Sequence, residues 1–440
     1  MILQTDVLII GAGVLGTSLA YEISSMTDRK VLLIDRENGP AFHSSSRNTG
    51  VVHRPFYVDP VDKAVYARSA IESYEPWREL AEKEGLPWVQ RGVMELALND
   101  RDVNMIERYS KWAQQNGMTE DEVILLDEHE VKSEEPLVVA RGAILSRKDV
   151  NVSYGPMTRA VSRLAEGKGV KTLWNLTADR IIDGDEPTAI CSSSSGLTEI
   201  KAKIIINVSG GGAYRLARSL GLASEYSELH FRGDYWMIRG FGGIHRNIYT
   251  VPRNPGYPFL DPHFIIRPDG QTEIGPNAFL VSGPFSYSGT ISEIFRSASI
   301  LKDSMVVRLI FDKDMLRLIW NDWRMSVLKS QMVKRVKQFI PSLDASCAYQ
   351  RGTSGIRHSL ISKEGFVPEA VIIGTSNSIH VLNFNSPGAT GAPAFALALL
   401  SQLISSYDIK LVNRHAAVWN DLINKVNSFD IGFKIENKAN

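Results

Sequence analysis

Cysteine is scarce in this chain: Cys191 and Cys347 are the only two in 440 residues. That excludes a disulfide framework, and their spacing fits no zinc motif, so both are expected to be buried thiols of a reducing compartment and no metal site is expected. Excess charge is lacking too, with Lys plus Arg at 49 and Asp plus Glu at 49. No bulk field is available to hold nucleic acid, so a preference for a charged ligand must rest on a few placed side chains. The most apolar helical run, Ala394 to Ile404, is 11 residues long and contains Ser401 and Gln402, short of the roughly 20 that cross a bilayer. The N-terminal apolar run is short and opens onto glycines, which reads as a buried strand rather than a signal peptide. There is no internal repeat, low-complexity block or long linker. The expected location is cytoplasmic, at most peripheral at a membrane. With 44% hydrophobic and 22% charged residues, the chain has the composition of a globular protein with a substantial core.

What is present begins at the N-terminus. Val7 to Ile10 run into Gly11-Ala12-Gly13-Val14-Leu15-Gly16 and then a helical stretch from Thr17, and a second apolar run, Val31 to Ile34, ends at Asp35. This is G-x-G-x-x-G between a strand and a helix, with an acid 19 positions after the last glycine. Gly11 permits the tight turn, Gly13 lets a pyrophosphate approach the backbone, and Gly16 lets helix pack on strand; the helix N-terminus offers its amides to phosphate. Asp35 can accept hydrogen bonds from ribose hydroxyls and argues against NADP, whose 2′-phosphate wants an arginine. The unit predicts a bound dinucleotide and leaves NAD and FAD open.

The next segment departs from an NAD dehydrogenase, which usually continues with further βα units. After Arg36 comes Ser44-Ser45-Ser46-Arg47-Asn48-Thr49-Gly50-Val51-Val52-His53, a small, polar loop ending in an apolar pair and a histidine. Here the chain resembles the FAD-dependent oxidoreductases of the D-amino-acid-oxidase type. Within them it is most similar to the L-2-hydroxyglutarate dehydrogenase branch, with glycerol-3-phosphate dehydrogenases and oxidases as neighbours. The resemblance continues through Phe231-Arg232-Gly233-Asp234-Tyr235, Pro258-Phe259-Leu260, His263-Phe264, Gly275-Pro276-Asn277-Ala278, Ser354-Gly355-Ile356-Arg357, His380 to Asn383, and Ser386-Pro387-Gly388-Ala389-Thr390.

The resemblance implies a mixed α/β fold: a Rossmann-like FAD-binding domain interleaved with a substrate domain built on an antiparallel or mixed sheet. The expected FAD-binding parts are 1–85, 146–220 and 346–415, the substrate-binding parts 86–145 and 221–345, and 416–440 a C-terminal helix and tail. FAD is the expected cofactor, held by Gly11, Gly13, Val14, Leu15, Gly16, Asp35 and Arg36, by Ser45 to Val51 (Ser45, Ser46, Arg47, Asn48, Thr49, Gly50, Val51), and by Ala178, Ser209, Gly210, Gly355, Arg357, Ser386, Gly388, Ala389 and Thr390. The basic helical stretch from Lys329 to Ile340 could meet anionic lipid but reads first as a solvated helix face.

Oxidising a secondary alcohol at a flavin needs a base for the hydroxyl proton and a clamp for the substrate. An ordinary imidazole titrates near pH 6.5, and the resemblance sets His53 at the flavin face, so His53 is the expected base. Arg357 is the expected clamp, since guanidinium pairs carboxylate or phosphate bidentately. Arg54, Tyr57, Arg232, Tyr235, His263, Asn277 and His358 are further substrate-binding candidates. Two departures bear on the substrate. The branch has small residues after its histidine, where this chain has Arg54-Pro55, and Ala-Gln after its arginine, where this chain has His358-Ser359. The expected reaction is oxidation of a small anionic 2-hydroxy compound by hydride transfer to flavin N5, L-2-hydroxyglutarate to 2-oxoglutarate first. The extra cation and imidazole raise glycerol 3-phosphate as the second choice, and an amino acid or amine is the third. Electrons would pass to a quinone, another carrier or oxygen. Rival classes are an NAD-linked dehydrogenase and a non-catalytic flavin-binding subunit.

Overall fold

The computed structural model describes residues 1–435 except 255, 256, 258, 260, 345, 346, 408, 413–418, 420, 421, 427 and 428. Pro258 and Leu260 of the motif above, and much of 416–440, therefore lie outside the described residues. Strand β1 (Ile2–Ile10) is buried along its second half, and its turn into helix α1 (Val14–Met26) requires the positive φ of Gly11, +110°. A Cβ on Gly16 would stand 1.8 Å from the Gly11 carbonyl oxygen, so α1 can lie this close to the turn only with glycine there. Strand β2 (Val31–Ile34) then pairs parallel to β1 and ends at Asp35.

These strands form the middle of a nine-stranded sheet. Gly196–Asn207 flanks β1 on its other side in parallel register, Ser378–Leu382 follows it, and Lys171–Leu173 lies beyond β2. Continuous Val, Ile and Leu runs suit parallel strands covered on both faces. One face packs on α1, Tyr154–Gly167 and Gly388–Ser406, the other on the hairpin Thr177–Ser193 and Ala213–Ser219.

The helix Gly388–Ser406 is 19 residues, longer than the 11-residue apolar run because the small residues from Gly388 to Ala392 join it. By length and mean hydropathy it could cross a membrane, yet 72% of its most apolar 18-residue window is buried inside the fold, where core packing accounts for its character. Pro393 lies within it. The missing N–H leaves the Ala389 carbonyl without its helical donor, and Trp77 Nε1 donates to that oxygen at 3.2 Å and to Thr390 O at 2.8 Å.

A second, ten-stranded sheet pairs Ser227–Arg239 with Ala348–Ser362 antiparallel from Ser227↔Ile361 to Arg239↔Ala348. This differs from the expected division, which puts residues from 346 in the cofactor domain; the strand carrying Arg357 runs in the second sheet. Within the expected C-terminal helix and tail, Leu422–Val426 is helical, Lys434–Ile435 adds an edge strand to the first sheet, and Trp419 is buried edge-on to Tyr21 and Trp77. A small third sheet joins Val51–Val52 and Val89–Gln90 to Val150–Asn151. Cys191 is buried as expected and Cys347 half-buried.

Candidate active site

One cavity of about 300 Å³ runs from the glycine turn to the face of the second sheet. At its first end lie Gly11, Gly13, Val14, Leu15 and Asp35. The N-cap of α1, Gly13, has no side chain to cap it and the first turn holds no acid, so beyond Val14 N, which Ser45 takes, its positive end is left to a ligand. Asp35 is fixed by two backbone donors, Ala12 N at 2.7 Å and Glu37 N at 2.9 Å, with carboxylate lone pairs left to accept more. Burial raises its pKa.

The serine-rich loop forms the next wall, with Ser45, Arg47, Asn48, Thr49, Gly50 and Val51 all on the cavity. Ser45 Oγ accepts from Val14 N at 2.9 Å. Ser44 Oγ donates to Ile356 O at 2.9 Å, and a Cβ on Gly355 would meet Arg47 O at 2.0 Å. The loop is thus locked onto the strand that carries Arg357. Arg267, which the sequence reading does not single out, donates to the Asn48 and Thr49 carbonyls at 3.0 and 2.7 Å. Ser209, Gly210, Gly355, Ser386, Ala389 and Thr390 complete this part of the lining.

The far end holds His53 and Arg357. His53 Nδ1 lies 3.0 Å from the Asp149 carboxylate, which is wholly buried and also accepts from the Arg54 amide at 3.1 Å and from the Ser146 hydroxyl. A carboxylate accepts only, so Nδ1 carries a proton, and in the neutral ring Nε2 is the nitrogen with the free lone pair. The backbone N–H of His53 donates to Thr390 Oγ1 at 3.2 Å, and Tyr154 Oη shares that hydroxyl at 3.0 Å. Asp149 is the main residue that the sequence reading missed; it is 96 positions from His53, and no local pattern around it marks it.

Arg357 faces the same cavity. Among the described residues no carboxylate pairs with it; the phenols of Tyr57, Tyr235 and Tyr66, which burial keeps neutral, stand around it, and burial depresses its pKa. A desolvated guanidinium without a counter-ion is costly unless a ligand supplies the anion. His263 donates from Nδ1 to Asp261 O at 3.0 Å, which leaves Nε2 without a protein partner, and burial pulls its pKa to about 3. Tyr249 stacks on it at 4.0 Å. Tyr235 Oη meets Thr49 Oγ1 at 3.1 Å.

Several expected residues are placed otherwise. Arg54 turns away to Glu122 at 3.0 Å and over the Tyr74 ring, so its charge is neutralised outside the cavity. Arg232 is fully buried against both Asp234 oxygens, at 2.9 and 3.2 Å, and is a structural ion pair. Tyr57 lies behind His53, edge-on at 5.6 Å, with its hydroxyl buried and unpartnered. Asn277 touches the cavity, but its amide is spent on Asp234 N, Asp322 O and Ser326 Oγ. His358 does line the cavity, but it meets His230 Nδ1 at 3.3 Å and burial keeps it neutral. Among the cofactor residues, Arg36 lies on Phe285 and pairs with Glu37, and Ser46 is exposed. Ala178 is buried with its carbonyl bonded to Arg215, and Gly16 and Gly388 pack on Gly11 and Phe384.

The glycine turn, the acid-free helix end, Asp35 and the loop of small residues together fit a dinucleotide such as FAD. The comparisons agree. Residues 6–402 match the family described as FAD dependent oxidoreductase (DAO), and the chain belongs to that family, with FAD as its cofactor. Among relatives, it is 27% identical over 421 residues to the mitochondrial L-2-hydroxyglutarate dehydrogenase of Caenorhabditis elegans, covering 92% of this chain and 94% of that one. It is 25% identical over 402 residues to the L-2-hydroxyglutarate dehydrogenase of Escherichia coli K12, covering 90% and 93%. In fold it is similar to the FAD-bound L-alpha-glycerophosphate oxidase of Mycoplasma pneumoniae, with a TM-score of 0.72 and 20% identity over 95% of this chain and 97% of that one.

Proposed function

We propose that this flavoenzyme oxidises the secondary alcohol of a small 2-hydroxy acid, L-2-hydroxyglutarate before others, to the 2-oxo acid. The observation that carries this reading is the pairing, on one cavity, of a histidine oriented by a buried carboxylate with an arginine that lacks a counter-ion. Bound FAD supplies the hydride acceptor. Arg357 holds the substrate carboxylate, and its fixed fork sets which face of the carbinol carbon is presented. His53 Nε2 takes the hydroxyl proton, and Asp149 stabilises the imidazolium that results. The relatives named for L-2-hydroxyglutarate support the choice of substrate. Of the side chains that argued for phosphate, Arg54 pairs with Glu122 outside the cavity, and His358 lines the cavity but is neutral beside His230. Electrons then pass to a quinone or another carrier. The test is product analysis with an artificial electron acceptor. Formation of 2-oxoglutarate from the L but not the D enantiomer supports the reading; turnover only with glycerol 3-phosphate or an amino acid overturns it.

A further inference from the structure

The segment from Phe285 to Leu328 carries a concentration of outward-facing apolar residues. Phe295 is 76% exposed, and Ile291, Phe311 and Trp320 are each 61% exposed. Among the described residues, Phe42 is the only exposed Phe or Trp outside this segment. Ile291 and Phe295 are four apart on the helix Ile291–Ser297 and so share a face.

The helix Lys313–Val327 is sorted in the same way. Its buried side holds Met315, Ile319 and Met325. Leu316, Trp320 and Val327 are exposed and fall within an arc of about 40° at 100° per residue. Lys313, Arg317 and Arg324, all exposed, occupy the next 60° or so. With Lys302 and Arg308, five exposed cations stand here, none ion-paired to a described residue, against exposed Asp312 and Asp314 and half-buried Asp303. In a chain of zero net charge this is a local positive pole.

We propose that this face docks on an anionic phospholipid surface. Exposed aromatic and aliphatic side chains flanked by Lys and Arg on one side of a helix suit the boundary between headgroups and acyl chains. The cations add attraction to anionic lipid of about fivefold in affinity each. A second copy of the chain is a poorer occupant, because a two-fold contact would set these cations against one another. The docking would bring the flavoenzyme to acceptors dissolved in the membrane, but it does not depend on which substrate is oxidised.

The test is sedimentation of the FAD-loaded full chain with vesicles of phosphatidylcholine alone or with about one quarter phosphatidylglycerol, in low salt and in about 1 M salt. The wild type should pellet with the anionic vesicles in low salt only. The Lys313→Ser, Arg317→Ser, Arg324→Ser triple variant should bind about a hundredfold more weakly. The Phe295→Ser, Trp320→Ser double variant should lose at least about tenfold. Both variants should keep their FAD and the wild-type rate with a soluble acceptor. A wild type that stays in the supernatant overturns the proposal, as does binding that survives both variants. So does a dimer that Trp320→Ser turns into a monomer, which would assign the face to a second copy.

Discussion

Asp149 touches the His53 ring, the Arg54 amide and the Ser146 hydroxyl, so its charge sets one tautomer of one histidine. Asp149→Asn keeps the volume and removes that control. Its kcat should fall by about 10² to 10⁴ with FAD content unchanged, measured by stopped-flow flavin bleaching. Arg357→Met should split stability from function. Removing a cation without a counter-ion should raise the Tm of the substrate-free enzyme, while kcat/KM for an anionic substrate falls by roughly 30- to 1000-fold. A lower Tm would mean that the guanidinium has a structural partner. Glu22 is fully buried, neither carboxylate oxygen has a protein partner, and burial lifts its pKa from 4.5 to about 8. The native state then keeps a proton that the unfolded state loses, so stability falls as pH rises through that window. Glu22→Gln should gain in Tm over the wild type as the pH goes from 4.5 to 8, and a constant gap would refute it. His53 and Arg357 were legible because motifs carried them. Asp149 was not, because sequence separation hides a contact that only the pairing of Val51–Val52 with Val150–Asn151 creates.

Distant partners explain which neighbours were misread. On the strand Ala348–Ser362 both Arg357 and His358 reach the cavity wall, but the His358 ring is held against His230 and neutral, and Arg54, one residue past His53, is drawn to Glu122. The sequence could show both residues beside the motifs but not the partners that hold them. Gly355 tests this element directly. A Cβ there would meet Arg47 O at 2.0 Å, a backbone atom that can move only by displacing the serine-rich loop. Gly355→Ala should therefore lower both FAD content and kcat, read from the ratio of flavin to protein absorbance. Full FAD occupancy in that variant would show that the strand and loop are not rigidly coupled. The apolar run marks only part of the helix Gly388–Ser406 because Gly388, Thr390, Gly391 and Pro393 near its start are poor helix formers; its packing on Trp77 and Ser73 supplies what propensity does not.

At the scale of the molecule, the two large sheets meet around one cavity, and each supplies what the other lacks. The first brings the glycine turn and Asp35, the second Arg357 and His263, and the small third sheet brings His53 close to Asp149. Interleaving was legible as a pattern of motifs in order; the boundary was not, since a continuous strand from Ala348 to Ser362 belongs to the second sheet although its neighbours in sequence return to the first. The central claim is that this shared cavity oxidises a 2-hydroxy acid. The most direct measurement is anaerobic bleaching of the bound flavin by each enantiomer of 2-hydroxyglutarate, by glycerol 3-phosphate and by amino acids, side by side. Rapid bleaching by L-2-hydroxyglutarate alone is the predicted result, and bleaching by glycerol 3-phosphate or an amino acid but by neither enantiomer would contradict it.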